Sequence, residues 1–125
     1  MYYIYAIQSK KNNYWYTGYT ADLRKRFKEH NGNKCGFTKG RGPFELIYYE
    51  ACLNQQDATS REKYLKSGMG KRYLKNRLKR FLSLTGFIPL ETTMYYIYVI
   101  QSKKNNYWYT GYTADLRKRF LSLTG

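Results

Sequence analysis

The sequence predicts an α+β domain: a three-stranded antiparallel sheet flanked by helices in the order β-β-α-β-α-α, followed by a partial repeat of its own first hairpin and helix. Three observations carry this. Two runs rich in aromatic and β-branched residues, Tyr2–Ser9 and Tyr14–Tyr19, flank the polar stretch Lys10–Asn13, which is the pattern of a β-hairpin. Amphipathic segments with capping residues alternate with a third such run over Pro43–Cys52. Finally, Met1–Phe27 returns as Met94–Phe120 with a single change, Ala6 to Val99.

In the first strand Tyr3, Tyr5 and Ile7 share a face. A two- or four-residue loop between Lys10 and Asn13 makes paired residue numbers sum to an odd value, so Tyr5 and Tyr16 project from the same side of the hairpin. Thr20–Asn31 then reads as a helix, with Thr20 as N-cap, Asp22 in the first turn, and Leu23 and Phe27 one turn apart facing the core. Arg26 and His30 are also four apart and line one flank of that helix. After the basic, glycine-rich loop Gly32–Gly42 comes the third strand. Asn54–Gly68 is a helix capped by Asn54 and stopped by Gly68, with Ala58, Glu62 and Leu65 on one face. A carboxylate on an otherwise apolar face is not something packing asks for. Lys71–Leu82 forms the last helix, with Leu74, Leu78 and Phe81 inward and a row of Lys and Arg outward.

Residues 1–82 therefore form the complete domain, 83–93 a linker, and 94–125 a partial duplicate of residues 1–27. "KRFLSLTG" stands at Lys79–Gly86 and again at Lys118–Gly125, so the expected origin is a tandem duplication that lost the segment between two Lys-Arg-Phe triplets. A solenoid is excluded, because such arrays need at least three comparable units.

With 125 residues the chain has room for one small core. Lys and Arg number 23 against 8 Asp and Glu, a formal net charge of +15, which makes a polyanion the natural partner. These cations alternate with 16 Tyr, 6 Phe and 2 Trp, and no run approaches the ~18 apolar residues of a membrane span. Nucleic acid is thus favoured over an anionic membrane. Cys35 and Cys52 stand apart, without a further Cys or His pair at metal-ligand spacing, so neither a disulfide framework nor a zinc site is expected. The N-terminal run lacks the regions of a secretory signal, and the reading is of a cytoplasmic protein.

Tyr3-Ile4-Tyr5 followed by Tyr16-Thr17-Gly18 resembles the paired elements that name the GIY-YIG nuclease superfamily, most closely its small stand-alone proteins similar to the N-terminal nuclease domain of excinuclease C. The resemblance covers Met1 to Leu82 and is strongest over 16–31 and 60–68. Tyr3 stands where the family name has Gly, and Thr17 where it has Ile; neither change removes a reactive group. The resemblance implies metal-dependent hydrolysis of nucleic-acid phosphodiesters, in a setting such as DNA repair. It places catalytic roles on Tyr5, Tyr16, Arg26, His30 and Glu62, with Glu62 the ligand of Mg²⁺ or Mn²⁺, and Asn76 as a weaker match to a downstream Asn.

Elementary chemistry supports those positions. Hydrolysis needs a base for the attacking water, cations for the charge developing on phosphate, and help for the leaving oxygen. With one histidine and few carboxylates, phenols must share the proton work. A tyrosine of pKa about 10 is roughly 0.1% ionised at neutral pH, so a competent base needs a shift of about 4 kcal/mol. One cation at ~4 Å with an effective dielectric of ~20 supplies that much. Tyr5 is favoured as base, with Tyr16 on the phosphate or water and His30 orienting a hydroxyl. Plainer readings stand beside these: a cross-strand tyrosine pair, a Glu62–Lys66 i,i+4 pair, His30 as a helix cap, and Asn76 as a solvated residue. Lys34, Lys39, Arg41, Lys75, Lys79 and Arg80 are the expected contacts to the nucleic-acid backbone. Such contacts carry no sequence information, so DNA is expected to be selected by structure. The rival reading is a non-catalytic nucleic-acid-binding module on the same fold. The repeated hairpin is expected either to add to its own sheet or to mediate a homo-oligomer.

Overall fold

A computed structural model of the chain describes residues 1–32, 36, 38–83 and 94–124. The chain divides into two compact units, Met1–Ser83 and Leu84–Gly125. Apart from Ser83, the expected linker 83–93 lies outside the described residues, as does Lys34.

The first unit opens with β1 (Tyr2–Ser9) and β2 (Trp15–Thr20). Ser9 N–H donates to the Tyr14 carbonyl at 2.9 Å, closing a four-residue loop. Ser9 Oγ accepts from the N–H groups of Lys11 and Asn12 inside the loop, and Asn13 takes the left-handed conformation that Asn tolerates (φ 62°). The register pairs Tyr5 with Gly18 and Ile7 with Tyr16, so Tyr5 and Tyr16 do share a face. The third strand, β3 (Phe44–Cys52), pairs antiparallel with β1. The sheet order is β2-β1-β3, which makes β1 central and β2 an outer strand. The expected three-stranded antiparallel sheet flanked by helices is the observed architecture.

Both faces of this sheet are covered. On one, Tyr5, Ile7 and Phe44 are buried against Leu23 and Phe27 of α1 (Leu23–Asn31). On the other, Ile4 packs on Ala58 and Leu65 of α2 (Gln55–Lys66). The same face carries a polar clamp from β3 to α2. Arg61 donates from Nε and Nη2 to the two Glu50 oxygens, both at 2.8 Å, and Tyr48 O–H donates to Glu50 at 2.7 Å.

Helix boundaries depart from expectation at two places. Asp22, rather than Thr20, is the N-cap of α1: its Oδ1 accepts from Lys25 N–H at 3.1 Å. Thr20 is still held in the ladder opposite Tyr3, and its hydroxyl oxygen accepts from Asp22 N–H instead. The last helix is two, α3 (Gly68–Arg77) and α4 (Lys79–Ser83). Ser67 both closes α2 and opens α3, its hydroxyl donating to the Tyr64 carbonyl at 2.6 Å and accepting from Gly70 N–H at 3.1 Å. Gly68 therefore begins a helix as well as following one. Leu74 is buried, with Leu78 and Phe81 half-buried.

The second unit repeats the hairpin as β4 (Tyr96–Gln101) and β5 (Trp108–Thr113), followed by α5 (Leu116–Thr124). Its register is the same, Tyr98 opposite Gly111 and Ile100 opposite Tyr109. No third strand joins this sheet among the described residues. Nor is any described helix long and apolar enough to cross a membrane.

Candidate active site

Gly18 and Tyr5 face each other across the hairpin, and the Tyr5 ring lies where a side chain at Gly18 would be: a β-carbon there would stand 2.9 Å from Tyr5 Cε1 and closer still to Cζ and the hydroxyl. The ring thereby reaches over β2 to its outer edge. Along that edge runs a cavity of about 550 Å³. Residues from both sides of the sheet meet in it: Tyr5 and Tyr16 from the strands, Arg26 and His30 from α1, and Glu62 from α2. Five of the six expected catalytic positions are thus brought together.

Within the cavity Tyr5 Oη lies 2.7 Å from His30 Nε2. His30 Nδ1 in turn lies 2.7 Å from Thr38 Oγ1. The imidazole is buried, and this burial lowers its pKa from the usual 6.5; the positive charge of Arg26 lowers it further, against the opposing pull of Glu29. Histidine is therefore neutral at physiological pH, one ring nitrogen carrying a proton and the other free to accept one. His30 uses both nitrogens on side chains, so it does not cap the helix as the plainer reading has it. Tyr16 is half-buried, edge-on to Phe44 with ring centroids 5.5 Å apart. Arg26 pairs with Glu29 at 3.3 Å and is 42% exposed, leaving its guanidinium accessible from the cavity.

Among the described residues, Glu62 is the only acidic one on the cavity wall. Lys66 Nζ lies 3.2 Å from it, on a side chain 55% exposed and hence easily displaced. No group of three or more His, Cys, Asp or Glu that could hold a metal occurs among the described residues. One hard oxygen donor beside an open cavity fits Mg²⁺ or Mn²⁺, which bind through one or two carboxylates with water and substrate phosphate as the other ligands. It does not fit zinc, which takes three or four protein ligands.

Asn76 does not reach the cavity: it is two positions from buried Leu74 and so on the opposite side of α3, where it is exposed. Lys39, Arg41, Lys75, Lys79 and Arg80 are all exposed. Sequence reasoning missed Thr38 and Lys71, both on the cavity wall. Lys71 stands three positions before Leu74 and so continues the stripe of Leu74, Leu78 and Phe81, a placement hidden when the Lys and Arg of this helix are read together as one outward row. Thr38 lies in a loop, where no periodicity marks a buried position. In the second unit Tyr98 covers Gly111 as Tyr5 covers Gly18, but exposed Leu123 stands at the position of His30.

A two-motif hairpin with tyrosines on one face, a helix presenting Arg and His to them, and a Glu from the next helix define a compact nuclease-type domain. The chain matches the model of the GIY-YIG catalytic domain over residues 1–77 and again over 94–123, and it belongs to that family. Members of this nuclease family are generally dependent on a divalent metal. The chain is 47% identical over 68 residues to UPF0213 protein CPE1444 of Clostridium perfringens, covering 53% of this chain and 71% of that one. It is 43% identical over 65 residues to UPF0213 protein YazA of Bacillus subtilis, covering 51% and 65%. With a UPF0213 protein of Pediococcus pentosaceus it shares 38% identity over 85 residues, covering 67% and 88%. The solution NMR structure of UPF0213 protein BH0048 from Bacillus halodurans is 33% identical and aligns with 70% of this chain and 88% of that one at a TM-score of 0.36.

Proposed function

We propose that the chain is a metal-dependent endonuclease that hydrolyses phosphodiester bonds in DNA, selects its substrate by structure rather than sequence, and serves cytoplasmic DNA repair. The observation that carries this reading is the 2.7 Å contact between Tyr5 and His30, set in a cavity that also holds Tyr16, Arg26 and Glu62. A free phenolate is rare at neutral pH, and the contact avoids the need for one. Tyr5 Oη takes the proton of the attacking water as its own proton passes to His30 Nε2. His30, kept neutral by burial, is in the state to receive it. Arg26, Lys66 and Lys71 draw the phosphate in and offset the charge that grows on its oxygens. Tyr16 bonds the phosphate or the water from the same sheet face. Glu62 would hold the Mg²⁺ or Mn²⁺, which when bound neutralises a phosphate oxygen as a Lewis acid.

Exposed Lys39, Arg41, Lys75, Lys79 and Arg80 then track the backbone, and Lys34 belongs with them by sequence. The test pairs cleavage with binding. Glu62→Gln should abolish Mg²⁺- or Mn²⁺-dependent cleavage of labelled duplex and branched DNA while leaving salt-sensitive binding intact. Replacing Lys75, Lys79 and Arg80 together should weaken binding on all sequences and flatten its salt slope by about three. Binding without cleavage on every substrate would leave the rival, a non-catalytic module.

The other expected partner is a second copy of the chain. Ile97 is 57% exposed and Val99 58%, although their counterparts Ile4 and Ala6 are each 1% exposed. With Tyr95, Trp108 and Tyr112 they make an uncharged, apolar face, unusual in a chain of net charge +15. Such a face carries no charge to hold phosphate and suits its own like.

A further inference from the structure

The loop that carries Thr38 is pinned more firmly than an exposed connection requires. Arg41 N–H donates to the Thr38 carbonyl at 3.0 Å, closing a four-residue turn in which Gly40 takes φ +79°, as the third position of a type II turn demands. The Arg41 carbonyl is held at 2.6 Å by the hydroxyl of Ser9, a fully buried residue at the end of β1. On the helix side, Asn31 bonds both polar backbone groups of Phe44, accepting from N–H at 2.7 Å and donating to the carbonyl at 3.3 Å. Between these two anchors Thr38 is 3% exposed, and its hydroxyl meets His30 Nδ1 at 2.7 Å.

Two arrangements of protons satisfy the row Tyr5–His30–Thr38. In one, Tyr5 donates to Nε2 and Nδ1–H donates to Thr38; in the other, Thr38 donates to Nδ1 and Nε2–H donates to Tyr5. Acidity separates them. A phenol is a far better donor than an aliphatic alcohol, while an alcohol oxygen, whose lone pairs are not drawn into a ring, is the better acceptor. The stronger pair of bonds has the phenol giving and the alcohol taking. We propose that Thr38 is a positioning residue that holds His30 as the Nδ1–H tautomer, so that Nε2 faces Tyr5 unprotonated. This rests on the proposed proton relay for its purpose, since only an unprotonated Nε2 can receive the Tyr5 proton, but not for its geometry.

His30 is the only histidine in the chain, so its ring nitrogens are directly observable in the full-length, ¹⁵N-labelled protein by long-range ¹H–¹⁵N correlation at neutral pH. The expected result is a protonated Nδ1 and a bare Nε2. Thr38→Val, which keeps the shape and removes the hydroxyl, should move the ring to the Nε2–H form or to a mixture, and Thr38→Ser should restore the wild-type pattern. An Nε2–H ring in the wild type overturns the proposal, as does an unchanged pattern in Thr38→Val. In cleavage, Thr38→Val should lower kcat by about 10- to 100-fold, the range for partners that orient a reactive ligand, with little change in KM. If the tautomer shifts as expected but the wild type cleaves nothing, the proposed nuclease reading fails and the assignment to Thr38 stands.

Discussion

Gly18 is the smallest residue of the site and one of the most constrained. The space beside it belongs to the Tyr5 ring, and that ring's position sets the 2.7 Å contact to His30. Gly18→Ala should push the ring aside, cost about 1–3 kcal/mol by overpacking, and remove cleavage even at temperatures where the protein stays folded. Thermal melting and single-turnover cleavage on the same sample check this; full activity at normal stability would show that Tyr5 is not held by Gly18. At this scale much is legible in the sequence. Parity along the hairpin puts Tyr5 and Tyr16 on one face, and four-residue spacing aligns Arg26 with His30. Thr38 cannot be found so, because a loop position has neither period nor parity. Its only written sign is Gly40, two residues on, in a Thr-Lys-Gly-Arg turn.

Among the elements, β3 and α2 are joined by a polar cluster centred on Glu50. The Arg61 guanidinium grips Glu50 while lying over the rings of Tyr64 and Tyr73, 5.2 and 4.8 Å from their centroids. This clamp fixes α2 against the sheet, and with it Glu62, one residue from Arg61. Burial works against the ionised form of Glu50, but the hydrogen bonds from Arg61 and Tyr48 prevail and, with Arg61 and Arg77 nearby, hold its carboxyl below the ordinary 4.5. The folded pKa is depressed, so this stabilisation is fully present above about pH 4.5 and is lost as pH falls through the folded value. Melting temperature should therefore fall more steeply with acid in the wild type than in Glu50→Gln; parallel curves would remove the clamp from the account. Arg61→Ala should cost about 1–3 kcal/mol by leaving Glu50 half-buried without its main donor. Element types and order are legible because strand alternation and helix stripes are strong local signals. Two boundaries are not, since Thr20 and Asp22 are both good caps and the choice falls to the strand ladder that already holds Thr20. Likewise, nothing local to Gly68 says whether the chain will stop or turn back when Ser67 can serve both helices.

For the molecule as a whole, the duplicated hairpin is a test of what sequence alone specifies. Two nearly identical segments adopt the same register, so the hairpin is encoded locally. Burial is not: Ile4, packed on α2, is 1% exposed, whereas Ile97, in a sheet that has two strands among the described residues, is 57% exposed. Truncation after Ser83 should therefore give a protein that remains monomeric where the full chain associates with rising concentration, and that keeps its cleavage activity. Sedimentation velocity across a concentration series checks this, and a full chain that stays monomeric throughout would dispose of the partner role for the second unit.

The same duplication matters for how the chain acquires its structure. One seat exists on β3 and α2, and two hairpins are written to fill it, distinguished by two methyl groups at Ala6 and Val99. During synthesis the N-terminal copy emerges first and claims the seat before its rival exists, whereas a full chain diluted from denaturant enjoys no such order. Kinetic competition between the two should appear as a slow refolding phase that the chain ending at Ser83 lacks. Such a phase, present in the full chain and absent from the truncated one, would make the direction of translation part of the information that selects the native state.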